Sequence, residues 1–243
     1  MRMLNFAKRN SKELIRDPLS LVFEIVLPIF LLFIFQQFNI PEENYKLENF
    51  TPGIIIFGFS FITLFTSTLI AKDRTSSFLI RLSASPMKSS DYILGYIISL
   101  IPIIILQNIL FFIVAILLGL SFSINIIYTI LISIIVSILF IALGILIGSL
   151  VSERGTGGLG SIIVQLVCFT SGMYFKKELV GKIFAKICEL LPFESCLNII
   201  KGVLNNNLKI ISIQNIVVFL LYTIITLILS VIVFKKRMVS DNK

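Results

Sequence analysis

The stretch Ile124–Leu150, INIIYTILISIIVSILFIALGILIGSL, carries no charged side chain from one end to the other. At about 1.5 Å rise per residue, a helix of that length crosses a hydrocarbon core of about 30 Å. Its apolar residues do not recur on one face but fill the whole circumference, as a helix surrounded by lipid or by other apolar helices requires. Outward from it, further runs share the character: Leu19–Phe38, Gly53–Ala71, Tyr92–Leu118, Gly158–Phe175 and Ile213–Phe234. The 243-residue chain is accordingly 57% hydrophobic and 14% charged, with a mean hydropathy of +1.02. Soluble domains carry about 25% charged residues. The expectation is an all-α integral membrane protein with six transmembrane helices.

Charge outside the runs sets the topology. Lys and Arg divide fourteen to seven between the two sides, which places both termini in the cytoplasm of a multi-pass, cell-membrane and bacterial protein. The segment 176–212 runs against this, because its six lysines by themselves favour the inside. The net charge of +8 therefore reads as positive-inside bias and contact with anionic headgroups, so membrane lipids and not nucleic acid are the expected partners. In 1–18, Lys8, Lys12 and Arg16 recur every four residues while Met3, Phe6, Ala7, Leu14 and Ile15 lie largely elsewhere, the pattern of an interfacial amphipathic helix. Asp17-Pro18 ends it. Within 176–212, Pro192 separates two apolar pieces too short to span. They read either as a re-entrant helical hairpin in the outer leaflet or as an amphipathic hairpin on its surface.

Several chemistries are closed. The chain has no histidine, which removes HExxH zinc sites, Ser-His and Cys-His dyads and histidine proton relays, and no residue is assigned a catalytic or metal-binding role. The glycine cluster Gly155–Gly160 follows a span and is closed by no Gly-Lys-Ser/Thr, so it is not a P-loop. If ATP is used, another chain hydrolyses it. Cys168, Cys188 and Cys196 show no metal-ligand spacing and read as thiols, with a Cys188–Cys196 bridge as the alternative in an oxidising compartment.

Polar residues inside the spans are the candidate pathway. Glu24, one turn before Pro28, is the one formal charge there. It reads either as a cation or proton site or as a packing residue paired with an arginine or a backbone donor. Ser60, Thr63 and Ser67 share one helical face, and so do Ser161, Gln165, Cys168 and Gly172. Either face suits a polar pathway or interhelical hydrogen bonding. Gly144 and Gly148 form a GxxxG pair suited to close helix packing. The loop 72–91 holds Phe78, Leu79, Ile80 and Leu82, which need a protein groove or the membrane to cover them.

Three phrases carry a family resemblance. Lys8-Arg9-Asn10 through Arg16-Asp17-Pro18-Leu19-Ser20, with Pro28 beyond, resembles the interfacial helix and first span of the permease subunit of type-2 ABC transporters. Lys72-Asp73-Arg74-Thr75 and Leu82-Ser83-Ala84-Ser85-Pro86-Met87 resemble that family's Arg-x-x-Gly-Thr and Leu-x-x-Ser-Pro stretch, although Ser76-Ser77 stands where an acidic residue or glycine is common. Ser171-Gly172-Met173-Tyr174-Phe175 with Leu190-Leu191-Pro192-Phe193 is similar to its Ser-Gly-x-x-Phe and Leu-Pro pattern around an outer re-entrant hairpin. The resemblance implies one permease domain over 1–243 and a second permease copy, as homodimer or heterodimer. It also implies two cytoplasmic ABC ATPase subunits that bind ATP and Mg2+, so that this chain holds no cofactor. It implies a coupling helix near Thr75–Ala84, with Arg74, Thr75, Phe78, Leu79, Arg81 and Leu82 facing the ATPase, and a hairpin marked by Ser171, Gly172 and Pro192. The implied activity is export of an amphipathic substrate such as a drug, an antimicrobial peptide or a lipid-like molecule. The alternatives are a lipid-linked glycan exporter, which the lack of tryptophan disfavours, and an ion-coupled secondary transporter using Glu24.

Overall fold

Each long apolar run is helical in the computed structural model, which describes residues 2–38, 40–76, 89–174 and 181–240. In chain order the helices are α1 Arg2–Ile15, α2 Pro18–Gln37, α3 Leu47–Thr75, α4 Ser89–Leu117, α5 Asn125–Leu150, α6 Glu153–Thr170, α7 Lys182–Leu190, α8 Pro192–Leu204 and α9 Ile213–Ser240. No strand occurs among the described residues. Among the described residues five helices, α2, α3, α4, α5 and α9, are long and apolar enough to cross a membrane. The run expected over Gly158–Phe175 is α6, an 18-residue helix that begins earlier, at Glu153, and stands outside those five.

The bundle is built around α3. Of its apolar window 83% is buried, against 22% for α9, so α3 is the core element and α9 the peripheral one. α3 packs on α2, α4, α5, α6 and α8, and α9 lies on α5 and α8. α3 also runs past the expected span at both ends. At its start Pro52 has no N–H to donate to the Glu48 carbonyl, and the Asn205 amide of α8 reaches that oxygen at 3.4 Å. In α4, Pro102 leaves a similar gap in the backbone ladder, and the nearby Ser99 carbonyl accepts from the Ser11 hydroxyl of α1 at 2.8 Å.

α1 covers its apolar side with protein. Phe6, Ala7 and Leu14 are buried, and the Phe6 ring stands edge-on to Tyr96 of α4 with centroids 5.0 Å apart. Gly95 makes this approach possible, because a β-carbon there would come within 2.5 Å of the ring. α2 is interrupted by a π-helical turn at Val22–Val26, directly ahead of Pro28. Pro28 removes the donor to the Glu24 carbonyl, and the wider turn absorbs the ring's clash with it.

At the opposite end of the bundle Phe35, Tyr45, Phe50 and Tyr174 cluster, and the Tyr45 hydroxyl donates to the Tyr174 carbonyl at 2.8 Å. Burial, with Glu42 adding to it, pushes the Tyr45 phenol up, so it stays a donor. α7 and α8 are separate helices broken at Leu191-Pro192. α8 turns Phe193, Cys196, Leu197 and Ile200 into the core, whereas α7 leaves Ile183 and Leu190 exposed. No disulfide links Cys188 to Cys196.

Candidate functional site

At one end of the bundle the last turn of α3 meets α1, α4, α5 and α6 through charged and polar side chains. Asp73, in the last turn of α3, has no exposed surface. The Arg9 guanidinium of α1 donates to its Oδ1 at 2.7 Å, and the Tyr96 hydroxyl of α4 donates to Oδ2 at 2.8 Å. Arg9 also bridges Glu13 at 2.7 Å, and the Lys72 ammonium reaches Glu13 at 2.8 Å. A carboxylate removed from water costs several kcal/mol unless its oxygens are satisfied, and here both oxygens have a donor. The network joins α1, α4 and the last turn of α3.

Arg74, the next residue, reaches sideways. Its Nη1 donates to the carbonyls of Gly148 at 2.9 Å, Ser149 at 2.8 Å and Val151 at 3.3 Å. These include the unpaired carbonyls at the carboxyl end of α5, where the helix dipole also favours a cation. The Thr75 hydroxyl donates to Glu153 of α6 at 3.2 Å. Arg74 and Thr75 thus fasten the end of α3 to α5 and α6. The remaining expected coupling residues, Phe78, Leu79, Arg81 and Leu82, lie outside the described residues.

The two candidate pathway faces occupy different places. Ser60, Thr63 and Ser67 have no exposed surface and lie in the tightly packed seam between α3 and α5. The Thr63 hydroxyl donates to the Phe140 carbonyl of α5 at 2.9 Å, while Ser60 and Ser67 each donate to a carbonyl of their own helix at 2.6 Å. Gly144 and Gly148 make the seam close. A β-carbon on Gly144 would stand 2.8 Å from the Thr63 carbonyl, and one on Gly148 would collide with the Ser67 carbonyl. Ser161 and Gln165 are exposed on the side of α6 turned away from α3. Cys168, expected on that same face, instead joins Val164 and Val167 on the packed side, and Gly172 lies past the end of the helix; Gly160 admits Leu64 of α3.

Glu24 sits in the π turn with 1% exposure, and neither carboxyl oxygen has a hydrogen-bond partner among the described residues. It therefore has neither the paired arginine nor the backbone donor of the packing reading, nor open contact with water. The amide of Gln107 on α4, which crowds Gly58 of α3, is likewise buried and unpartnered. Ser171, 1% exposed, and Gly172, with φ of +80, turn the chain at the end of α6, and Pro192 opens α8.

The tie between Arg9 and Asp73 is the feature that sequence pattern conceals. The four-residue spacing of Arg9 and Glu13 signals an intrahelical pair. Asp73 offers only a lone acid between Lys72 and Arg74, and nothing in a single sequence links it to a residue 64 positions away.

None of the curated proteins matches the chain. A family model does. Residues 3–205, which take in α1 through α8 and so both the charged end and the α3 core, match the ABC-2 type transporter family, and the chain belongs to it as a multi-pass membrane permease that associates with an ABC ATPase.

Proposed function

We propose that this chain is the membrane subunit of an ATP-driven exporter, in which two permease copies form the pathway and two cytoplasmic subunits bind and hydrolyse ATP with Mg2+. The observation that carries the reading is the family match over residues 3–205. In this reading both termini and the charged end of the bundle are cytoplasmic, in line with the Lys/Arg distribution. α1 lies along the inner interface, α6 is the sixth crossing, and α7 with α8 forms the outer re-entrant hairpin. The coupling element is the segment 77–88 between α3 and α4; the expected loop 72–91 is shorter, because its first residues, 72–75, belong to α3 and its last, 89–91, to α4.

Support for that last role comes from its root. Arg74 and Thr75 grip α5 and α6, and Asp73 grips α1 and α4, so a displacement at the end of α3 reaches four helices through short polar contacts. The pathway runs between the two permeases past Ser161 and Gln165. The cargo is amphipathic, a drug, an antimicrobial peptide or a lipid-like molecule, with a lipid-linked glycan as the nearest alternative. The test is purification of the chain from its native membrane. A co-purifying subunit with a Walker motif, and ATP hydrolysis that needs both chains, is the expected result. Leu79→Asp and Leu82→Asp should abolish that dependence while membrane insertion is retained.

One observation favours a second reading. Glu24 is a buried carboxyl with no hydrogen-bond partner among the described residues, and an ionisable residue inside a span is by default a functional candidate. Transport driven by an ion gradient without nucleotide, and lost in Glu24→Gln, would replace the ATP-driven reading.

A further inference from the structure

Between α1, the start of α2, the last turns of α3 and the first residue of α6 lies a cavity of about 1070 Å³. That is large beside the 300–1,000 Å³ typical of small-molecule sites. Its charges do not balance. Lys8, Lys12 and Arg16 all line it, and none of the three pairs with a carboxylate among the described residues.

The acids around the cavity are already engaged. Glu13 holds Arg9 and Lys72, Asp17 accepts from the Ser20 hydroxyl and from the amides of Leu19 and Ser20, and Glu153 accepts from Thr75. The lining also has apolar side chains, Leu14 of α1 and Phe65 and Leu69 of α3, the last two beside Thr68 and Lys72. The cavity borders the junction of α1 and the apolar α2, where Arg16, Asp17 and Pro18 line it, the depth at which headgroup meets hydrocarbon if α2 crosses the membrane. A free anion would satisfy the cations and leave the apolar side chains bare, whereas an apolar ligand would do the reverse.

We propose that this cavity binds the phosphate headgroup of an anionic lipid, with Lys8, Lys12 and Arg16 meeting the phosphate and Phe65 and Leu69 flanking the first part of the acyl chain. The site does not rest on the ATP-driven reading, since every residue that lines it belongs to this chain. Two sources supply this chemistry, a resident phospholipid and a transported one.

The test uses the full-length chain in mixed micelles containing phosphatidylglycerol or phosphatidylcholine, with retained lipid counted by native mass spectrometry. Wild type should retain phosphatidylglycerol in preference to phosphatidylcholine. A cation near an anionic headgroup contributes about fivefold in affinity, so the triple variant K8Q/K12Q/R16Q should lose retention on the order of 100-fold. The matched variant K235Q/K236Q/R237Q removes the same charge from α9 and should retain the lipid. Equal retention of the two lipids by wild type, or equal loss in the two triple variants, would overturn the site. The wild-type comparison needs no substitution, so it stands even where a variant folds poorly. The source is then read in proteoliposomes of the chain with its ATPase. Nucleotide-dependent movement of labelled phosphatidylglycerol to the opposite leaflet makes it cargo, and retention without movement makes it a resident lipid.

Discussion

Asp73 has no exposed surface and holds Arg9 and Tyr96 together, so the three residues fail in different ways when altered. Arg9→Ala leaves a buried carboxylate facing only a phenol. Breaking a fully buried pair costs about 3–5 kcal/mol; because Arg9 is 37% exposed, the expected loss is nearer ~2–3 kcal/mol. Asp73→Asn keeps an acceptor in place and should cost less than Arg9→Ala, and Tyr96→Phe should cost about 1 kcal/mol for one hydrogen bond. Cys168, Cys188 and Cys196 are buried, so a thiol-reactive dye reports the melt, and the order Arg9→Ala, Asp73→Asn, Tyr96→Phe is the outcome to check. Glu24 predicts the opposite sign. Its two oxygens are buried without donors, so Glu24→Leu, similar in volume, should stabilise the protein by roughly 1–2 kcal/mol. Unchanged transport in that variant would make Glu24 a packing residue, and lost transport with gained stability would make it functional.

At the scale of the element, the α3–α5 seam sets close backbone approach against hydrogen bonding. Thr63→Ala removes the contact to the Phe140 carbonyl, and such interhelical bonds average about 0.6 kcal/mol. Gly144→Val drives a β-carbon to within 2.8 Å of the Thr63 carbonyl, and overpacking of this kind costs about 1–3 kcal/mol. The glycine variant should therefore melt well below the threonine one; the reverse order would mean that the hydroxyls, not the glycines, hold the seam. Gly157→Ala on α6 meets nothing within 4 Å and should raise helix stability by about 1 kcal/mol. These elements differ in how far sequence reveals them. Ile124–Leu150 announces α5 because no charge interrupts it, and the GxxxG pair announces its close contact. The start of α6 is concealed, because Gly155 and Gly157, weak helix formers, stand just ahead of the run that begins at Gly158, yet the helix starts at Glu153. Ser60, Thr63 and Ser67 show their shared face in sequence, but which neighbour that face meets is decided by tertiary packing.

For the whole molecule, the decisive contrast is between two exposed surfaces. The exposed side of α9 carries Leu220, Leu221, Ile224, Ile225 and Ile228, apolar throughout, and lipid is a sufficient neighbour for it. The exposed side of α6 mixes Ile162, Leu166 and Phe169 with Ser161 and Gln165. A glutamine amide facing hydrocarbon leaves its donors and acceptor unmet, so that surface calls for a protein neighbour or a polar pathway. A two-fold dimer closed through α6 supplies both, since an isologous contact brings each Gln165 toward the partner's copy of the same face. With the three native cysteines replaced, Gln165→Cys should form an intermolecular disulfide under mild oxidation in native membranes, whereas Ile228→Cys on α9 should not. A product of twice the chain's mass identifies a homodimer, and a product of another mass identifies a paired permease of different sequence. Equal cross-linking at both positions would mean random collision in the bilayer, and no product from Gln165→Cys would move the permease–permease contact off α6.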